Sequence, residues 1–299
     1  MFPTWTEFQP FLVTGLALGG VYALSGVGMV VLYRATGVLN LSFGAVGAMG
    51  ALLAWQGTNG WGLSEGMSWL VCVAFSAVIT LLYGLVFGVA LAKRDPLVKA
   101  TATLGFALLL FGVMNLLWTT SGGAARSITL PSDNSGFMIG SVQVVWTDVI
   151  GLGFGVAMTV VTAVFLRFTK LGTAMRAMAG DREITAMLGV PVNRVLAVAW
   201  FGCGVLSGIA GLLLADMVAL DPTTLTFLVI SSVAAALIAR LRSITVTFIA
   251  AIVIGLVDSM ATPIIQITNY RDMAPFVLAT IALLALSARS EISLDREGI

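Results

Sequence analysis

The chain has 299 residues, of which 59% are hydrophobic and only 10% charged, with a formal net charge of +1. A mean hydropathy of +1.05 lies outside the range of soluble domains, and a near-neutral balance carries no sign of nucleic-acid binding. The composition is that of an all-α, polytopic transmembrane helical bundle.

The N-terminus, MFPTWTEFQP, has neither a basic n-region nor a small-residue cleavage site before its apolar run, so the first span is expected to be retained. A span takes about 20 apolar residues. That length places spans near 10–32, 38–55, 68–92, 100–118, 147–169, 196–216, 223–239, 244–265 and 274–288, a bundle of about 8–10 crossings forming a single domain over 1–299. Glycines at four-residue spacing, Gly15/Gly19 and Gly204/Gly208, fit close helix packing in lipid. Cys72 and Cys203 both fall inside apolar spans and histidine is absent, so neither a disulfide framework nor a metal site is expected.

Cytoplasmic loops retain Lys and Arg. One set of alternate loops holds 13 of the 15 basic residues, from Arg34 to Arg296, and the other set holds only Arg126 and Arg271. The N-terminus is therefore expected outside and the C-terminus in the cytoplasm. Tryptophan, which favours the membrane interface, agrees: Trp5, Trp55, Trp61, Trp69, Trp118 and Trp146 all fall on the predicted outer side.

In the second span, Asn40 precedes Gly44, Gly47 and Gly50, a smooth helix face at a spacing of three. That face either packs against a neighbouring helix or lines a narrow pathway with Asn40 near its inner mouth. Thr103 and Asn115 in the fourth span carry the same two readings. The external loop 119–146 is rich in Gly and Ser, and its alternation near Phe137–Val145 predicts a small hairpin. It is either a connector or a docking surface for an external protein, with Arg126 and Arg271, the two exceptions to the charge rule, as candidates to pair with an acidic partner.

The cytoplasmic loop 170–194, KLGTAMRAMAGDREITAMLGVPVNR, holds six of the 29 charged residues and reads as two short helices. Gly180 marks the break, Asp181 is a good N-cap, and Gly189 with Pro191 stops the second helix. Met175 and Met178 form an apolar stripe on the first helix, and Ile184, Met187 and Leu188 on the second. Such stripes lie either on the protein's own membrane face or on a partner; Arg176, Asp181 and Glu183 flank them.

One ionisable residue stands deep in a span: Asp258, in IGLVDSMATP. It is either a carboxylate on a transport path or one hydrogen-bonded between helices. None of Lys93, Lys99 and Lys170 follows glycine as GxxxxGK[ST] requires, so no P-loop is present and any ATP is hydrolysed elsewhere. Nucleophile elbows and paired carboxylates are also missing, which argues against an enzyme. An ion-coupled secondary transporter, the main rival to an ATP-driven one, would need more intramembrane ion-coordinating groups than Asp258 supplies.

The stretches Gly19–Ala51, Thr103–Gly112 and Leu171–Ala215, the last reading LGTAMRAMAGDREITAMLGVPVNRVLAVAWFGCGVLSGIAGLLLA, resemble the branched-chain amino acid ABC transporter permeases of the LivH type. The resemblance covers nearly the whole chain. It implies an inner-membrane subunit paired with a second, LivM-type permease, two cytoplasmic P-loop ATPase subunits that bind the ATP and Mg, and a periplasmic substrate-binding protein. It further implies that Ala174–Gly189 forms coupling helices seated on the ATPase. The chain departs from the family pattern after Gly44, where AVGA carries no acidic residue, and at Ile238–Phe248, where Arg240 and Arg242 stand in place of a glycine-rich turn. Both departures bear on the solute, which among relatives includes branched-chain amino acids, urea, amides and organic acids.

Overall fold

The structure is a computed structural model that describes residues 5–88, 90–91, 94–118, 128, 136–139, 142–218, 220–264, 273 and 275–284. Its helices are α1 (Trp5–Thr36), α2 (Phe43–Asn59), α3 (Glu65–Tyr83, continued by a π-helical segment Gly84–Gly88), α4 (Pro96–Leu117), α5 (Trp146–Phe168), α6 (Lys170–Gly180), α7 (Arg182–Met187), α8 (Val192–Met217), α9 (Pro222–Phe227), α10 (Val229–Ile238), α11 (Ile244–Ala261) and α12 (Pro275–Leu284). Six are long and apolar enough to cross a membrane: α1, α3, α4, α5, α8 and α11. The predicted spans 38–55, 223–239 and 274–288 correspond to shorter helices: α2, the broken pair α9–α10, and α12. The predicted hairpin is present, with Phe137 opposite Val144 in an antiparallel pair of strands, β1 (Gly136–Ile139) and β2 (Val142–Val145).

Glycine faces hold the bundle together. A Cβ on Gly19 would stand 2.7 Å from the Ile252 Cα, so α1 and α11 touch backbone to backbone, and Gly208 brings α8 equally close to Val73 of α3 at 2.9 Å. Lipid tails are as apolar as leucine, so helices in a membrane associate through such close packing rather than by escaping water.

α2 occupies the centre, packed against α3, α4, α8 and α9. Its helix does not begin at the edge of the bundle, as the span 38–55 implied. Residues 38–42 are non-helical, and three side chains explain why. Asn40 Oδ1 accepts from the Ser42 amide at 3.1 Å and the Ser42 hydroxyl at 2.6 Å, and Asn40 Nδ2 donates to Cys203 Sγ at 3.6 Å. The Thr103 hydroxyl donates to the Leu39 carbonyl at 2.9 Å and accepts from the Leu41 amide at 3.1 Å. These side-chain bonds offer the backbone an alternative to a helical turn. Cys203 lies eleven residues into α8 and Thr103 seven into α4, about 16 and 10 Å from the helix starts at 1.5 Å per residue. The start of α2 is thus sunk inside the protein.

The turn between α10 and α11 contains two non-glycine residues in the left-handed region, Arg240 at φ 49° and Leu241 at φ 56°. Glycine would adopt those angles without steric cost.

Candidate functional site

Every described basic residue lies at one end of the bundle, where α1, α5 and α10 finish and α4, α8 and α11 begin. The arm α6–α7 projects from that end. Thr169 opens α6 by accepting the Gly172 amide at 2.9 Å, and Gly172 lies against the backbone of Phe165 and Leu166, folding α6 onto the end of α5. The break falls one residue later than the glycine rule placed it. Gly180 is the last helical residue of α6, and Asp181, extended at φ −151°, ends one helix and caps the next. Its Oδ1 accepts from the Glu183 amide at 2.8 Å and the Ile184 amide at 3.0 Å. Gly189 closes α7 in the left-handed region at φ +81°.

The two apolar stripes face different ways. Met175 and Met178 are 2% and 6% exposed, buried against the bundle on the same face as Gly172. Ile184, Met187 and Leu188 are 57%, 84% and 78% exposed. The methionines of α6 therefore anchor the arm, while α7 presents an apolar knob beside the exposed Arg176, Gly180, Asp181 and Glu183.

A second feature lies deep in the bundle. A cavity of about 10 Å³, room for roughly one water molecule, is lined by Ser25, Phe43, Gly44, Gly47, Ser207, Leu225 and Val229 among others. Gly44 and Gly47 line it, and both pack closely against neighbouring helices: a Cβ on Gly47 would stand 2.6 Å from the Ser207 carbonyl oxygen, and one on Gly44 2.7 Å from the Thr226 carbonyl oxygen. Asn40 and Thr103 come together beneath it, holding the non-helical segment 38–42.

The other expected path residues are not brought to this place. Asn115 is exposed on α4, its amide donating to the Phe111 carbonyl at 2.9 Å. Asp258 accepts from the buried Tyr22 hydroxyl at 2.9 Å across the α1–α11 contact, and the neighbouring Ser259 hydroxyl donates to the Phe11 carbonyl at 2.8 Å. Arg126 and Arg271 lie outside the described residues. Ser25, Ser207, Thr226 and Val229, which line or adjoin the cavity, carry no sequence signal of their own; a serine in an apolar run looks the same whether it pairs with its own helix or faces a cavity. Cys72 and Cys203 are buried free thiols, and no cluster of three metal-ligating side chains stands among the described residues.

The family model for the permease component of branched-chain amino acid transport systems matches residues 11–286. The chain belongs to this family. Among curated relatives, the high-affinity branched-chain amino acid transport system permease protein LivH of Salmonella typhimurium (strain LT2) is 24% identical over 93% of this chain and 94% of its own length. LivH of Escherichia coli (strain K12) aligns with the same identity and coverage. The ribose import permease protein RbsC of Escherichia coli (strain K12) is 27% identical over 89% of this chain and 81% of its own. No solved structure matches. As a branched-chain amino acid type permease component, the chain is a multi-pass membrane protein. Its conspicuous outward feature, the knob on α7, lies within the stretch Leu171–Ala215 that carries the strongest family resemblance.

Proposed function

We propose that this permease is the membrane subunit of an ATP-driven importer in the bacterial inner membrane, with its N-terminus outside and its C-terminus in the cytoplasm. The α6–α7 arm couples the motion of cytoplasmic P-loop ATPase subunits to solute passage. Remaining partners are a second, LivM-type permease and a periplasmic substrate-binding protein. The solute is a branched-chain amino acid or a related small amphipathic molecule. ATP and Mg belong to the partner ATPases; this chain supplies no catalytic group.

The observation that carries the reading is the α7 knob. Three large apolar side chains stand exposed on a six-residue helix and its C-cap residue Leu188, at the basic end of the bundle and next to α6, which buried methionines fix to it. Exposed apolar groups beside a polar rim mark a protein contact. Population shift then provides coupling: closure of the ATPases favours one arrangement of the arm, and hydrolysis releases it. An ion-coupled transporter finds less support, because Asp258 is engaged by Tyr22.

The test is co-purification of the partner ATPases with a permease carrying Met187→Glu and Leu188→Glu. Association is expected to fall by about a hundredfold, as for central contacts of an interface, with membrane insertion and melting temperature unchanged. Undiminished association would refute the coupling role. The same reading requires two P-loop ATPases, another permease and an exported binding protein among neighbouring genes.

A further inference from the structure

The turn from α10 to α11 carries a cost that its own hydrogen bonds do not explain. Arg240 and Leu241 stand in the left-handed region at φ 49° and 56°, where a side chain crowds the backbone and glycine does not. The amides of Arg240, Leu241 and Arg242 donate to the Leu237, Ala236 and Ala239 carbonyls at 2.7, 2.9 and 3.0 Å. The end of α10 is thereby closed, and glycine at position 240 would close it equally well. What the arginines add lies outside the turn: Leu241 is buried, while Arg240 and Arg242 on either side of it are exposed. Strained backbone that its surroundings hold in place collects at sites of function.

Two further observations say what such a pair meets. Neither arginine has an ion pair, a ring contact or a side-chain hydrogen bond among the described residues. Elsewhere at the same end of the bundle Arg94 adjoins Asp95 in sequence, the Arg167 guanidinium lies 5.6 Å from the centre of the Phe168 ring, and Arg176 donates to Thr173 Oγ1 at 3.4 Å. Independently, the helix that follows is built for lipid on its outer side. α11 has 18 residues, about 27 Å at 1.5 Å per residue, close to the ~30 Å of a hydrocarbon layer. Val246, Ile249, Val253 and Val257 form an exposed apolar stripe along it, beginning four residues after Arg242. Arg240 and Arg242 therefore fall just beyond the inner end of the hydrocarbon, at the depth of the lipid phosphates.

We propose that Arg240 and Arg242 bind the phosphate of an anionic phospholipid of the inner leaflet, with an acyl chain lying along Val246, Ile249 and Val253. Guanidinium groups present paired donors that fit phosphate oxygens. The left-handed turn presents two of them from one short segment, and the buried Leu241 pins that segment to the bundle. A cytoplasmic protein would reach the arginines but not the stripe below them, whereas a lipid meets both. The bound lipid steadies the α10–α11 turn, outside the α6–α7 arm, so the site is independent of the coupling reading.

The test is native mass spectrometry of the assembled transporter, delipidated in detergent and titrated with phosphatidylglycerol. Arg240→Gln with Arg242→Gln is expected to weaken binding of the tightest-held lipid by about thirtyfold, roughly fivefold for each charge at a membrane surface. Arg240→Lys with Arg242→Lys should keep most of the affinity. Arg94→Gln with Arg194→Gln, an equal loss of charge elsewhere at the same end, should keep all of it. Arg240→Gly relieves the backbone and is expected to bind about fivefold more weakly. Phosphatidylcholine should not replace phosphatidylglycerol, and millimolar inorganic phosphate should not displace it. Equal binding by the native chain and the Gln pair, or an equal loss in the Arg94 and Arg194 control, overturns the site. No tightly held lipid at all, as when the second permease covers the stripe, overturns it too. Displacement by inorganic phosphate makes this a free-anion site and overturns the lipid assignment. So does loss of ATPase co-purification in the Gln pair with lipid binding unchanged, which makes the turn a protein contact.

Discussion

The centre of the bundle and the arm that projects from it are built on opposite rules. Around α2, glycines at 44 and 47 lie against neighbouring backbone carbonyls and those at 50 and 57 against the Ser76, Cys72 and Ser68 side chains, at distances that leave no room for a Cβ. In α6–α7 the order comes from caps, Thr169 and Asp181, and from two buried methionines, while the outward side is open. Gly47 and Gly180 show the contrast. A Cβ at the first would meet the Ser207 carbonyl, whereas one at the second would meet nothing within 4 Å. The lesson is that glycine count says little about looseness here: the glycine-rich centre is the closely packed part, and the open surface is the one with charged residues and short capped helices.

The comparison breaks most sharply under overpacking. Gly47→Leu is expected to cost about 3 kcal/mol or more, because carbonyl and Cα atoms of α8 have no rotamer to yield, and to abolish uptake. Gly180→Leu at the surface of the arm should stay within about 0.5 kcal/mol. Melting of the two detergent-solubilised proteins measures this, and equal losses would dissolve the distinction. Next in size is Tyr22→Phe, which removes a donor from a part-buried carboxylate and should cost about 1–3 kcal/mol. If Asp258→Asn then leaves uptake unchanged as well as assembly, Asp258 belongs to the α1–α11 packing contact and not to the pathway.

On the arm, Asp181→Ala should cost about 1 kcal/mol, felt locally. Faster hydrogen exchange at the Glu183 and Ile184 amides, with an unchanged global melt, is the expected signature. Smallest is Arg240→Gly, expected to stabilise by about 1 kcal/mol through relief of a left-handed residue, read as a modest rise in melting temperature. A fall would mean that the arginine side chain contributes more than its backbone costs.

Much of this was legible in the sequence, for reasons that particular residues make plain. Apolar runs located the helices, and the Gly180–Asp181 pair announced the break in the arm, since carboxylate N-caps act within three residues and need no tertiary information. Met175 and Met178 were not separable from Ile184, Met187 and Leu188, because periodicity shows that a stripe exists without saying which stripe the bundle covers. Likewise an apolar span reads the same facing lipid or facing another helix, so α4, largely exposed, and α2, largely buried, look alike. The segment 38–42 was invisible for a further reason. Its non-helical shape depends on Thr103 and Cys203, far away in the chain.

That distance bears on how the protein is made. Asn40 and Cys203 are 163 positions apart, and Phe43 and Ser207 164. At about 5–20 residues per second, synthesis of α8 trails that of α2 by roughly 8–30 s. For that interval the polar run Asn40–Ser42 has no α8 to lean on, and the membrane insertion machinery has to shelter it. Slow codons or a pause between α7 and α8 would lengthen the exposure, so the yield of correctly inserted permease should be sensitive to translation speed in that one stretch of message.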